Sequence, residues 1–184
     1  MAYWRSRGLR GSELEALINI TNDVYRKKNL AVIQKIPTPI TPIKIDKTKK
    51  VITLAYFDQK STVDYIGVAQ GTPICFDAKE TTAASLPLAN IHQHQVDFMN
   101  EFAKQNGVAF LIVYFKRYEK YYLTPIEILA KYFVDAMKGG RKSIPYNEFA
   151  NAYEIEIASD MYLHYLKAVQ KYIDDLNINE NIRQ

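Results

Sequence analysis

The chain has 184 residues, with 24 lysines and arginines against 20 aspartates and glutamates, a net charge of +4 and a pI near 9.0. The length suits one domain with a real hydrophobic core, ordinary charge and aliphatic content exclude extended disorder, and the mild basic excess permits an anionic partner without demanding one. One cysteine, Cys75, excludes an internal disulfide, and the longest apolar run, VAFLIVYF, is far shorter than the ~20 residues of a spanning helix.

The N-terminal MAYWRSRGLRGSELEAL has no apolar core of a secretory signal. With the lone cysteine, this leads us to expect a cytoplasmic protein with no membrane partner. Ser12 followed by Glu15 forms a capping box, so a helix is expected to about Lys28. Leu14, Leu17, Ile18, Thr21, Val24 and Tyr25 recur along it at helical spacing. AVIQKI reads as a strand from Ala31 to Ile36. PTPITP, residues 37–42, suits neither a helix nor a central strand. IKIDKTKKVITLAYF reads as two alternating runs around a basic turn at Lys47, Lys49 and Lys50, a hairpin whose thin apolar faces suggest projection from the body.

VDYIGVAQ and PICFDAK form a second expected hairpin around Gly71-Thr72. Leu88 to Asn106 reads as a helix closed by Asn106-Gly107. VAFLIVYF reads as a buried strand and YYLTP as a short one, and Pro125 at the first helical position opens a helix to about Met137. GGRKSIP reads as a basic loop. A last amphipathic helix is expected over Ser159–Asp175, burying Met161, Leu163, Tyr165, Leu166, Val169 and Ile173, with a loose tail at 177–184. No repeat or linker divides the chain, so 1–184 is expected to be one domain with a stalk hairpin at about 37–58. The element order predicts an α/β arrangement around a mixed sheet.

The stretch DYIGVAQGTPICFDAK carries the chemistry. Strand alternation puts Ile74, Phe76 and Ala78 on one face, and Cys75, Asp77 and Lys79 on the other, with Asp77 and Lys79 ~7 Å apart along the strand. Asp64 lies on or at the entry of the partner strand. Two close carboxylates repel, and a divalent cation relieves that repulsion. Such a cation stabilises charge at a reacting phosphorus, and a neighbouring lysine orients water or neutralises the transition state. Two acids and a lysine on adjacent strands also describe an ordinary solvated hairpin.

The context separates these readings. RGSELEALINITNDVY (Arg10 to Tyr25), AVIQKIPTPI (Ala31 to Ile40), AYFDQKSTVDYIGV (Ala55 to Val68), FDAKET (Phe76 to Thr81), IHQHQ (Ile91 to Gln95) and GGRKSIP (Gly139 to Pro145) occur in order. Through these segments the chain resembles the RecU-type Holliday junction resolvases of the PD-(D/E)xK nuclease superfamily. The resemblance implies a restriction-endonuclease-like α/β core, with a mixed central sheet flanked by helices and a projecting hairpin stalk. It implies Thr62, Asp64, Asp77 and Gln95 as ligands of Mg²⁺, with Mn²⁺ as the alternative. It also implies Lys79 as the catalytic lysine, with Asp64, Asp77 and Glu15 as acids of the centre. It further implies a homodimer acting on four-way junction DNA. The family usually has Glu where this chain has Asp77, one methylene shorter, and the last ~40 residues carry little of the resemblance.

Blander readings stand beside these. Glu15 is also the capping-box acid. His92 and His94, two apart on a helix, point in different directions and suit surface roles, and Cys75 suits packing. Lys44, Lys47, Lys49 and Lys50 form either a solvated edge or a DNA contact. Arg141 and Lys142 sit in a glycine-led loop suited to phosphate, and Arg5, Arg7 and Arg10 form a basic arm. The expected function is a junction-resolving endonuclease of recombination and repair. The alternatives are a junction-binding module with little cleavage, acting on a branch-migration helicase or a recombinase, and a duplex-cutting restriction-type nuclease.

Overall fold

The computed structural model describes residues 13–58, 62–149 and 153–183. Ser12 and the basic arm of Arg5, Arg7 and Arg10 lie outside that set. The elements run α1 (Glu13–Lys27), β1 (Ala31–Lys35), β2 (Ile40–Asp46), β3 (Val51–Phe57), β4 (Tyr65–Ala69), β5 (Thr72–Thr81), β6 (Ser85–Pro87), α2 (Gln93–Lys104) and β7 (Val108–Phe115). They continue with β8 (Lys120–Pro125), α3 (Ile126–Met137), β9 (Ser143–Pro145), β10 (Glu154–Ile155), β11 (Ile157–Ala158), β12 (Tyr162–Leu163) and α4 (Tyr165–Arg183). No helix is long and apolar enough to cross a membrane among the described residues.

Six strands form the central sheet in the order β1-β4-β5-β7-β8-β10. Neighbours are antiparallel except β5 and β7, whose parallel pairing needs the crossover that α2 supplies. The expected α/β architecture with a mixed, helix-flanked sheet is therefore what forms. Helices α1 and α4 cover one face, and α2 and α3 the other. This is why VAFLIVYF is apolar throughout: Phe110, Ile112 and Tyr114 face α1 and α4, whereas Leu111, Val113 and Phe115 face α2 and α3. On the first face Tyr65, Phe76 and Phe110 stack across β4, β5 and β7 with ring centroids 4.8 and 4.9 Å apart. Tyr165 of α4 packs against Phe76 at 5.2 Å, and the Leu166 N–H donates to Tyr25 Oη at 3.2 Å, which fastens α4 to α1.

Among the described residues the hairpin β2–β3 pairs only with itself, and it is exposed along nearly its whole length. Its turn is closed by Asp46 Oδ1, which accepts the N–H groups of Thr48 at 2.9 Å and Lys49 at 3.0 Å. The β4–β5 turn is Gln70-Gly71, with φ of 48° and 89°, so Thr72 already belongs to β5. Two left-handed residues match the twist of a tight hairpin.

Several expectations need correction. The helix read from Leu88 begins at Gln93, because Leu88–Asn90 is a 3-10 turn and Ile91 is extended. GGRKSIP is not all loop, because Ser143–Pro145 pairs with Ser85–Pro87, a ladder too short to show alternation. The helix read from Ser159 begins at Tyr165, because β11 and β12 form a small hairpin first. That helix then continues to Arg183, since an anchored helix propagates without fresh nucleation. Pro125 is the N-cap of α3, one position earlier than expected. The Asn106-Gly107 stop forms as expected: Asn106 has φ 63° and the Gly107 N–H reaches Phe102 O at 3.2 Å.

Gly67 on β4 pairs with Ile33 of β1, and a Cβ there would lie 2.2 Å from Val32 O and 2.7 Å from Ile33 Cα. Both are main-chain atoms, so relief requires β1 to move. Gly67→Ala is expected to destabilise the protein by about 2 kcal/mol or more in urea unfolding; a loss under about 0.5 kcal/mol would show that β1 is not held against β4 as described.

Candidate active site

Asp77 and Lys79 lie on β5, and Asp64 immediately precedes β4. Tyr65 pairs with Phe76, which sets Asp64 across from Asp77. The two acids interlock through main chain: the Asp64 N–H donates to Asp77 Oδ1 at 3.1 Å, and the Ala78 N–H donates to Asp64 Oδ2 at 3.0 Å. Gln95, in the first turn of α2, donates from Nε2 to Asp77 Oδ1 at 2.8 Å. Its Oε1 accepts from the His92 N–H at 3.2 Å and from Lys79 Nζ at 3.4 Å. The Lys79 ammonium pairs with Asp77 Oδ2.

The face that an ordinary solvated hairpin would leave wet is covered by α2, and Asp77 is fully buried. Burial, and then the charge of Asp64, pushes its carboxyl up to about 7, against the opposing pull of Lys79. Asp77 Oδ2 meets the lysine as an ion pair but takes no directed hydrogen bond. The structure thus brings together Asp64, Asp77, Lys79 and Gln95. Thr62, itself exposed, lies two residues before Asp64, with the buried Val63 between them. Among the described residues no group of three or more His, Cys, Asp or Glu side chains is arranged to hold a metal, so any cation here would rest on two carboxylates and neutral oxygens.

Glu15 lies on α1, over the other face of the sheet, and Lys35 Nζ donates to its Oε2 at 2.7 Å. The Tyr65 hydroxyl donates to Asn19 Oδ1 at 3.1 Å. Burial raises Tyr65 far above the ordinary phenol range, and the charges of Glu15, Asp64 and Asp77 each add to this. All three acids therefore act on one hydroxyl.

Lys44, Lys47, Lys49 and Lys50 are all exposed on the stalk. Arg141 and Lys142 are exposed between α3 and β9, and Arg10 lies outside the described residues. His92 and His94 do not diverge: their rings stack at 5.4 Å with 12° between planes, because His92 is the extended N-cap and not a helical residue. Cys75 is buried and its thiol is pushed up to about 12, as a packing residue should be.

Sequence reasoning missed Lys35, Tyr65 and Glu80. Lys35 ends β1 just before the prolines, and only the packing of α1 brings it to Glu15. Glu80 follows Lys79 in FDAKET, and alternation would have put it on the α1 face.

The family profile described as Recombination protein U matches residues 9–171, well past Pro145, where the resembling segments end. A Holliday junction resolvase RecU of Leuconostoc citreum is 43% identical over 175 residues, covering 92% of this chain and 84% of that protein. The Holliday junction resolvase RecU of Pediococcus pentosaceus is 41% identical over 174 residues, covering 92% and 87%. The solved structure of Archaeoglobus fulgidus Hjc, a Holliday junction resolvase, aligns at 12% identity and a TM-score of 0.37 over 63% of this chain and 75% of that one, a likeness too slight to define the fold. With the profile spanning residues 9–171 and such identity over 92% of its length, the chain belongs to the RecU family, Recombination protein U.

Proposed function

We propose that the chain is a structure-specific endonuclease that resolves four-way DNA junctions by metal-dependent phosphodiester hydrolysis in recombination and repair. It works in the cytoplasm as one nuclease domain per protomer of a homodimer, the symmetry that suits two matched cuts. The observation that supports this reading best is the buried Asp77, set against Asp64 and closed in by Lys79 and Gln95, in a chain whose relatives carry the name Holliday junction resolvase.

The donor set fits a hard cation. Asp64, Asp77, the Gln95 amide oxygen and an oxygen of Thr62 are the donors that Mg²⁺ or Mn²⁺ takes. Asp77 Oδ2, buried without a directed hydrogen bond, is the atom such a charge would satisfy. When bound, the cation supplies stabilisation of charge at phosphorus and a water of lowered pKa. Gln95 now turns its nitrogen to Asp77, so ligation through Oε1 requires the amide to turn. Lys79 holds its ammonium where the added charge of a pentacovalent phosphate is neutralised. The exposed stalk lysines, with Arg141 and Lys142, bind phosphates and so place the junction.

The direct test is cleavage of synthetic junctions. Mg²⁺ or Mn²⁺ is expected to support cutting and EDTA to abolish it. Asp77→Ala and Lys79→Ala should lower the single-turnover rate by about 100-fold or more while junction affinity persists. Intact activity in either variant would sink the site assignment. Tight binding with no cleavage under any divalent ion would instead support the junction-binding module, for which the short acid at Asp77 speaks.

Asp77 also dictates a pH dependence. Unfolded, it ionises near 3.8, and folded and metal-free near 7, so in between the native state binds the extra proton. Its contribution to stability therefore falls as pH rises from ~4 to ~7, by at most about 4 kcal/mol. The check is urea unfolding in EDTA at pH 5 and pH 8, against Asp77→Ser. The wild type should lose more stability than the variant on going to pH 8, and Mg²⁺ should restore it.

The stalk makes a separate claim. Replacing Lys47, Lys49 and Lys50 together with alanine should weaken junction binding and flatten log K against log[salt] by ~0.9 for each phosphate that these lysines neutralise. An unchanged slope would remove them from the DNA interface.

A further inference from the structure

Glu80 lies one residue beyond Lys79 on β5, and alternation directs it to the face that α1 covers. Both of its carboxylate oxygens are engaged. Oε1 accepts the Leu14 N–H at 2.7 Å, and Oε2 meets Lys116 Nζ at 2.6 Å. Leu14 is in the first turn of α1, where main-chain N–H groups have no helical acceptor. A carboxylate there satisfies one of them and opposes the positive end of the helix dipole. Lys116 follows β7, and its own N–H donates to Thr81 O at 2.9 Å, next to Glu80. It also feels the charge of Glu13 in the first turn of α1. One side chain therefore ties the start of α1 and the end of β7 to the strand that bears Asp77 and Lys79.

The tie reaches the site through Glu15. The N–H that Glu80 holds belongs to the residue before Glu15, whose own carboxylate is drawn to Lys35. A shift of the first turn of α1 would displace Glu15, whose charge reaches the same Tyr65 hydroxyl as those of Asp64 and Asp77.

We propose that Glu80 is a positioning residue of the nuclease centre. It fixes the first turn of α1, and so Glu15, against the strand carrying Lys79. This rests on the reading of the site as a nuclease centre that includes Glu15.

The test is a double-mutant cycle. Single-turnover junction cleavage, junction Kd and amide exchange at Leu14 are measured for the wild type, Glu80→Gln, Glu80→Ala, Glu15→Gln and Glu80→Ala/Glu15→Gln. Glu80→Gln keeps an oxygen for the Leu14 N–H, so it should stay within about threefold of the wild-type rate. Glu80→Ala should expose the Leu14 amide to exchange and slow cleavage by at least about tenfold at unchanged Kd, since displacements of ~1 Å cost up to ~100-fold. In the Glu15→Gln background the same change should cost less than about twofold. Equal losses in both backgrounds would overturn the proposal, because Glu80 would then act without Glu15. A Glu80→Ala enzyme as fast as wild type would overturn it too. Should Glu80→Ala not fold, Lys116→Met and Glu80→Gln carry the test: both keep the Oε1 contact, and a tenfold loss in both would overturn it. A wild type that cuts no junction, or a fully active Glu15→Gln, would instead strike the underlying reading, while protection of the Leu14 amide would still report the tie itself.

Discussion

A carboxylate buried in the middle of a sheet must be compensated from every side, and Asp77 imposes that condition on its neighbours. An ionised group without partners there costs far more than folding can tolerate. The Asp64 N–H, the Gln95 amide and the Lys79 ammonium supply the compensation, from the entry of β4, the first turn of α2 and β5 itself. The start of α2 is held because Gln95 must reach Asp77, and its Oε1 closes the same turn on the His92 N–H. The carboxyl nonetheless remains high in pKa, so the balance is incomplete without a proton or a further positive charge.

The two faces of β5 divide the labour. Ile74, Phe76 and Ala78 serve the α1–α4 side, where stacked rings and Tyr165 close the core. Cys75 packs on the α2–α3 side, where Asp77 meets Gln95. The C-terminal helix is thus part of the support for the strand that bears Asp77 and Lys79. Tyr165 bonds Asn22, and Thr21 Oγ1 accepts the Leu163 N–H at 3.1 Å, so the last segment also holds α1.

The stalk follows a different logic from the body. Ile43, Ile45, Ile52, Leu54 and Phe57 are exposed along it, more apolar surface than a free hairpin normally shows to water. Its turn is ordered locally by Asp46 rather than by packing. A hairpin built this way presents lysines and apolar side chains together.

Much of this was legible in one dimension. Period-two alternation placed Asp77 and Lys79 on a common face. Uniform apolarity marked β7 as covered on both sides, and Asn106-Gly107 marked the end of α2. The basic turn and the prolines delimited the stalk. These are local signals, set by backbone geometry within a few residues. What the chain order could not contain was which element covers which face. The covering of Asp77 by α2, the reach of Lys35 to Glu15 and the grip of Glu80 on Leu14 join residues 18, 20 and 66 positions apart. The β6–β9 ladder and the β11–β12 hairpin were hidden for a related reason: strands of two or three residues have no period, and only their partners define them. By itself the sequence determined the residue types, the strand that carries them and the family. Only the tertiary structure decided that the central acid is dry, because burial is a property of what packs over a residue and not of the residue itself.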